Sequence, residues 1–252
     1  MALLADIVSH TNELLEINNY KDYCPNGLQV EGGHEVNKIV SGVTASQALI
    51  NSAIAQQADM ILVHHGFFWR GEKEVITGLK KNRICALINH DVSLLAYHLP
   101  LDGHQELGNN VQLSNKLQLK VVDNFGPGKS PLGIIANADS PIDSAALISR
   151  LAEALKRKPG LLSSGAKKNY ERIAICTGAA QNYFEQAIDA GADVFITGEV
   201  SEQTYHLAME SGVDFIYAGH HATEKFGVQA LGVYLSNQFN IVHEYVDITN
   251  PI

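Results

Sequence analysis

Residues 38–65, KIVSGVTASQALINSAIAQQADMILVHH, and residues 172–199, RIAICTGAAQNYFEQAIDAGADVFITGE, align without a gap at an offset of 134. Seven of these 28 positions are identical: Ile39 with Ile173, Ala45 with Ala179, Gln47 with Gln181, Ala53 with Ala187, Ile54 with Ile188, Ala58 with Ala192 and Asp59 with Asp193. Composition alone would give about two. A repeat of this kind constrains the fold strongly, because both copies must adopt one supersecondary arrangement. Each copy reads as strand, loop, helix, strand. KIVSGV and RIAICT are short β-rich runs, and ASQALINSAIAQQ and AQNYFEQAIDAG space apolar residues helically. ADMILV and ADVFIT are continuous apolar runs, as expected of parallel strands buried on both faces.

The likeness continues less regularly. HDVSLLAYHLPLD (90–102) parallels SGVDFIYAGHHATE (211–224), with strands VSLLAY and VDFIYA. A one-residue shift then sets His98 opposite His220 and Asp102 opposite Glu224, both pairs four apart. Residues 119–170 hold a strand LGIIANA, a helix SPIDSAALISRLAEALKRK and loops rich in Gly, Pro and Ser. The tail reads as a helix, EKFGVQALGVYLSNQFN, and a strand, IVHEYVDI. The expected architecture is α/β, with two similar α/β lobes from an internal duplication and a small inserted α/β module. The expected division is 1–118 for the first repeat unit, 119–170 for the insert and 171–252 for the second repeat unit.

In α/β sheets, ligands bind beyond the carboxyl ends of the parallel strands. Polar residues cluster after three of the apolar strands: His64 and His65 after MILV, His98, Asp102 and His104 after SLLAY, and His220, His221 and Glu224 after DFIYA. A lone histidine such as His10, His34, His90, His206 or His243 reads as a surface or satisfied side chain. Repeated clusters of imidazole and carboxylate at strand ends read as metal chemistry, with Zn, Fe, Ni, Cu or Mn compatible. Adjacent strand residues point to opposite faces, so His64 and His65 are expected to reach different ions, with Gly66 permitting a sharp exit. His220 and Glu224, at i and i+4, share one face at the start of the last helix. Two ions bridged by carboxylates fit this donor count, and such pairs serve hydrolysis.

Other signals exclude function classes. Lys and Arg number 18 against 27 Asp and Glu, for a formal charge of −9, which argues against nucleic-acid or anionic-membrane binding. No apolar run approaches the ~20 residues of a membrane span. The start of the chain, MALLADIVSHTNELLEI, reads as an amphipathic helix and not a signal peptide, and Cys24, Cys85 and Cys176 form no CxxC pair. A cytoplasmic location is expected. GPGKS (126–130) lacks the first glycine of a phosphate loop, which falls on Asp123, and reads as a plain turn. YCPNGLQVEGG reads as a structural loop or a substrate contact.

Taken together, NGLQVEG, LVHHGFFW, YHLPLD, GNN, ITGE and GHHATE resemble the GTP cyclohydrolase 1 type 2 homologue family, also called the Nif-three-like family, as a compact bacterial member. The resemblance spans nearly the whole chain. It implies a toroidal, ring-shaped homohexamer with a dinuclear metal centre, two divalent ions (Fe, Zn or Mn) per subunit. The ligands it implies are His64, His65, Asp102, His220 and Glu224. His98 is a candidate ligand, ligand-holding partner or proton shuttle; His221 is a candidate proton shuttle or competing ligand, and it stands where many relatives have an aromatic residue, which leaves an extra ligand open. No catalytic base is assigned. Three functions follow: a metal-dependent hydrolase of a nucleotide-like small molecule, GTP ring opening among the candidates; a metal (iron) carrier or chaperone; and a regulatory scaffold, whose nucleic-acid version the charge opposes.

Overall fold

The computed structural model describes residues 1–128 and 130–252; Lys129, within the GPGKS stretch read above as a turn, lies outside the described residues. The chain forms two compact units, each discontinuous: residues 1–101 with 227–249, and residues 102–226 with 250–252. Compactness thus divides the chain along different lines from the repeat, although each unit holds one copy of it.

The first unit opens with β1 (Ala2–Leu3) and α1 (Leu4–Leu14), followed by β2 (Gly27–Val30) and β3 (Glu35–Val36). The repeat copy supplies β4 (Lys38–Thr44), α2 (Gln47–Ala55) and β5 (Met60–His65), and after it come α3 (Gly78–Asn89), β6 (Ser93–Ala96) and the one-turn α4 (Leu99–Asp102). Ser46 starts α2 by accepting the Leu49 N–H at 3.3 Å, one of the donors a helix start leaves unpaired. The chain's last strand, β13 (Val242–Tyr245), pairs in parallel with β4, giving the sheet order β13-β4-β5-β6-β2 with only β2 antiparallel. Leu49, Ile50 and Ala53 of α2, with Ile84 and Leu87 of α3, cover Val40, Ile61, Val63 and Leu94.

The second unit runs α5 (Asn109–Lys116), β7 (Lys120–Phe125), β8 (Gly133–Asp143), α6 (Ser144–Leu155), β9 (Gly160–Leu162), β10 (Asn169–Ile175), α7 (Phe184–Asp189), β11 (Val194–Thr197), α8 (Glu202–Ser211), β12 (Asp214–Tyr217) and α9 (His220–Thr223). Its sheet order is β7-β8-β10-β11-β12-β9, with β10, β11 and β12 parallel. The 119–170 segment therefore contributes three strands to this sheet. Leu147, Leu151 and Leu155 of α6 pack on the side of Val194 and Ile196, while Phe184 and Ala208 pack with Phe195 and Phe215 on the other. Alternate residues of β11 thus enter different cores, which is why its sequence is apolar throughout.

The repeat is visible in detail. Ile39 pairs with Met60 in the first unit and Ile173 with Val194 in the second, each partner displaced by 134. Asp59 Oδ2 accepts the N–H groups of Asn37 and Lys38; Asp193 Oδ2 accepts those of Glu171 and Arg172. In each unit an antiparallel strand borders the third parallel one, β2 beside β6 and β9 beside β12.

Two local expectations are corrected. SPID does not begin α6 but ends β8, where Ile142 pairs with Tyr170 past a register shift; Asp143 then caps α6 by accepting the Ala146 N–H at 2.8 Å. The last helix is broken: His220–Thr223 forms its own turn, Glu224 takes a non-helical cap conformation, and α10 (Lys225–Phe239) follows.

Candidate metal centre

In the first unit the pairing of β5 with β6 stops at Val63 and Ala96, and the Tyr97 N–H donates to the Val63 carbonyl at 3.0 Å. The Tyr97 carbonyl in turn lies 2.9 Å from His64 Nδ1. A carbonyl can only accept, so His64 carries a proton on Nδ1. His65 Nδ1 sits 3.3 Å from Thr44 Oγ1. His64 and His65 end β5, whose pairing with β4 runs to Thr44 opposite His65. The ring centroids of His64 and His65 are 4.7 Å apart, and that of His98 lies 5.0 Å from His64 and 5.7 Å from His65. Each of the three imidazoles offers a nitrogen, and the three nitrogens lie within 4.8 Å of one another.

His98 is held from behind. Its Nδ1–H donates to Asp22 Oδ1 at 2.7 Å, and its backbone N–H donates to Asn26 Oδ1 at 2.8 Å. Asp22 also accepts from the Tyr23 N–H, Asn26 Nδ2 and the Leu99 N–H at 2.6, 2.8 and 2.9 Å. Burial pushes the Asp22 carboxyl up, but the hydrogen bond and charge of His98, with Asn26 and the Tyr23 amide, outweigh it and hold it at about 2. The loop before β2 therefore serves to aim His98. Cys24, close to Asp22 and His98, is pushed up to about 12 by burial and then by the Asp22 charge, so without a bound cation it stays a thiol. Gly66 serves by its bareness and adopts no left-handed φ: a Cβ there would overlap Gln29 Oε1 and Ala96 Cβ. That Gln29 oxygen accepts the Phe67 N–H at 2.6 Å.

In the second unit the ends of β11 and β12 are laced together: the Gly198 N–H donates to Gly178 O at 2.8 Å and the Gly219 N–H to Gly198 O at 2.9 Å. His220 follows. Its Nδ1 lies 2.6 Å from Glu199 Oε1 and its Nε2 3.1 Å from Oε2 of the buried Glu224. Burial opposes a charge on His220, but Glu224 and then Glu199 overcome it and raise the imidazole to about 9. A cation bound to Glu224 and His220 would replace that proton, the usual exchange at histidine ligands. Gly178, at φ +72°, leaves the room Glu224 occupies: a Cβ there would overlap Glu224 Oε1.

Asp102, also buried, accepts Asn109 Nδ2 at 2.9 Å on Oδ1. Burial, then the charges of Asp102 and Glu224, push the buried Cys176 thiol well above its ordinary value, so this sulfur too stays protonated. His221 is buried, and its backbone N–H donates to Ile252 O at 3.1 Å. His104 Nδ1 accepts the Glu106 and Leu107 N–H groups at 3.1 and 3.0 Å, a turn-capping role. His10 meets the Tyr234 hydroxyl, His90 the Ala86 carbonyl and His243 the Ser41 hydroxyl, all satisfied as expected of lone histidines.

Taken unit by unit, the donor chemistry suits divalent transition metals: three imidazoles in the first unit, carboxylates with an imidazole in the second. Two contributors escaped the sequence reading, Asp22 and Glu199. Glu199 had a signal, for it is the repeat counterpart of His65 at the offset of 134. Asp22 had none, being far from every histidine in the chain. The paired arrangement is itself repeated: His98 Nδ1 on Asp22, and His220 Nδ1 on Glu199.

The profile of the Duf34/NIF3 (NGG1p interacting factor 3) family matches residues 2–251. The chain belongs to this family. A Duf34/NIF3 relative from Pseudomonas aeruginosa named GTP cyclohydrolase 1 type 2 homolog is 50% identical over 249 residues, 98% of each chain. A solved structure described as protein ybgI, of unknown function, covers both chains completely at 43% identity and a TM-score of 0.95. The crystal structure of TTHA1606 from Thermus thermophilus also covers both completely, at 31% identity and a TM-score of 0.90. Among the described residues, no helix is long and apolar enough to cross a membrane.

Proposed function

We propose that His64, His65, Asp102, His220 and Glu224 hold two divalent cations (iron, zinc or manganese) and that the protein is a metal-dependent hydrolase of a nucleotide-like substrate. The observation that carries this reading is the imidazole trio of the first unit, whose nitrogens lie within 4.8 Å of one another while His64 and His98 each commit Nδ1 to an acceptor. A structural cluster of histidines has no need of such matched Nδ1 partners, whereas a metal or a reacting proton does. Bound cations would supply Lewis-acid polarisation of a carbonyl or phosphoryl oxygen. His98, backed by an ionised Asp22, would take a proton at Nε2 and return it, as a carboxylate-held imidazole does. The name of the Pseudomonas aeruginosa relative makes opening of the GTP imidazole ring the first reaction to try.

The test is GTP turnover by metal-loaded protein beside His64→Ala and Glu224→Ala, with elemental analysis of all three. Loss of metal and of turnover in both variants supports the reading; equal turnover in all three overturns it. Stoichiometric transfer of metal to an acceptor protein, with no nucleotide hydrolysed, would instead make the protein a metal carrier. On the same reading the chain is a cytoplasmic, ring-shaped homohexamer, with its two repeat units derived by duplication. A solution mass of one or two chains would remove the hexamer.

A further inference from the structure

We infer that Asn109 and Asn110, adjacent at the start of α5, are positioning residues that preset the two carboxylates Asp102 and Glu224. The inference rests on the proposed metal centre, and it concerns side chains for which the sequence reading gave no role beyond the GNN resemblance. Both asparagines are essentially inaccessible, at 0% and 1% exposure. A buried amide is costly unless its donors and acceptor are engaged. Theirs are engaged on the candidate site. Asn109 Nδ2 donates to Asp102 Oδ1 at 2.9 Å. Asn110 Nδ2 donates to Leu132 O at 2.9 Å and lies 3.4 Å from the Asp102 carbonyl, while its Oδ1 accepts the Thr177 N–H at 2.7 Å.

The next residue, Gly178, donates its N–H to Thr223 Oγ1 at 3.1 Å and is the glycine whose bareness makes room for Glu224. One side of the pair therefore grips Asp102 and the other grips the backbone against which Glu224 rests. A carboxylate that must bind a cation through one oxygen benefits from a donor on the other, which fixes its rotamer and keeps the negative charge from being spread over alternative poses. Asn109 is such a donor. Asn110 ties the Asp102 backbone to the Thr177–Gly178 corner and so limits how far the two carboxylates can drift apart.

The experiment is a Zn²⁺ titration of chelator-stripped protein against a competing chelator, reading equivalents bound and affinity for wild type, Asn109→Ala, Asn109→Leu and Asp102→Ala, with thermal melts of each stripped protein. Leu keeps the branched shape of Asn but has no donor. In either Asn109 variant that folds, one class of Zn²⁺ should bind about 10–100-fold more weakly, approaching the loss in Asp102→Ala. Wild-type affinity in a folded Asn109 variant, with Asp102→Ala impaired, overturns the inference and leaves the metal centre standing. Undiminished Zn²⁺ binding by Asp102→Ala overturns the metal role of Asp102 itself. A lowered melting temperature with unchanged affinity shows that Asn109 serves only the fold, and this too overturns the inference.

Discussion

Gly178→Ala separates backbone strain from displacement of a site carboxylate. The backbone at Gly178 has φ +72°, where an L residue costs about 1–2 kcal/mol. Stiffening the unfolded chain returns about 0.4–1 kcal/mol, so the backbone component is roughly 1 kcal/mol. Gly165 is the control: φ is +78°, and a Cβ there meets nothing within 4 Å. At Gly178 the added methyl instead overlaps Glu224 Oε1, so the carboxylate must leave its position 3.1 Å from His220 Nε2. Breaking one side of a buried ion pair costs about 3–5 kcal/mol. His220 keeps a quarter of its side chain in solvent, so the lower end applies. Urea unfolding of metal-free protein should therefore give about 1 kcal/mol for Gly165→Ala and roughly 4 kcal/mol for Gly178→Ala. In a Glu224→Ala background the clash is gone, and Gly178→Ala should fall back to about 1 kcal/mol, a coupling of roughly 3 kcal/mol. Equal costs in the two backgrounds would refute the contact, and with it the claim that a glycine is required there to seat the carboxylate.

Further outcomes follow from other parts of the molecule. Asp22 is depressed from 3.8 to about 2 in the folded protein, so its contribution is present above pH ~4 and is lost as the pH falls through about 2. Asp22→Asn should cost about 2 kcal/mol at pH 7, and progressively less in unfolding curves below pH ~4. A difference independent of pH would show that the charge is irrelevant. Asp59→Ala and Asp193→Ala each remove an acceptor of two backbone N–H groups, worth about 1.5–3 kcal/mol per charged bond before solvent is counted. Both should lower the unfolding free energy measured in urea by several kcal/mol; a neutral result in one would break the equivalence of the repeats. Gly66→Ala drives a methyl into Gln29 and Ala96 and should cost about 1–3 kcal/mol by overpacking, measured by thermal melting against a Gly33→Ala control, where the added carbon makes only an ordinary contact at 3.6 Å with the Asp91 carbonyl.

Periodicity and repetition determined a good deal by themselves. The parallel strands, their covering helices and the strand-end placement of His64, His65, Asp102, His220 and Glu224 were legible, because apolar runs and helical spacing are local patterns and the repeat doubles each of them. The resemblance of scattered motifs added the family. Tertiary structure decided what local pattern cannot encode. The tail returns β13 to the edge of β4 in the first unit, a pairing across some two hundred residues that no window of sequence contains. Asp22 lies 76 positions from His98 in sequence yet 2.7 Å away in space. Which side chains carry chemistry was written in residue type and spacing; which groups hold them in the right tautomer and rotamer was fixed only when distant backbone and side chains were buried together and each polar atom had to find its partner.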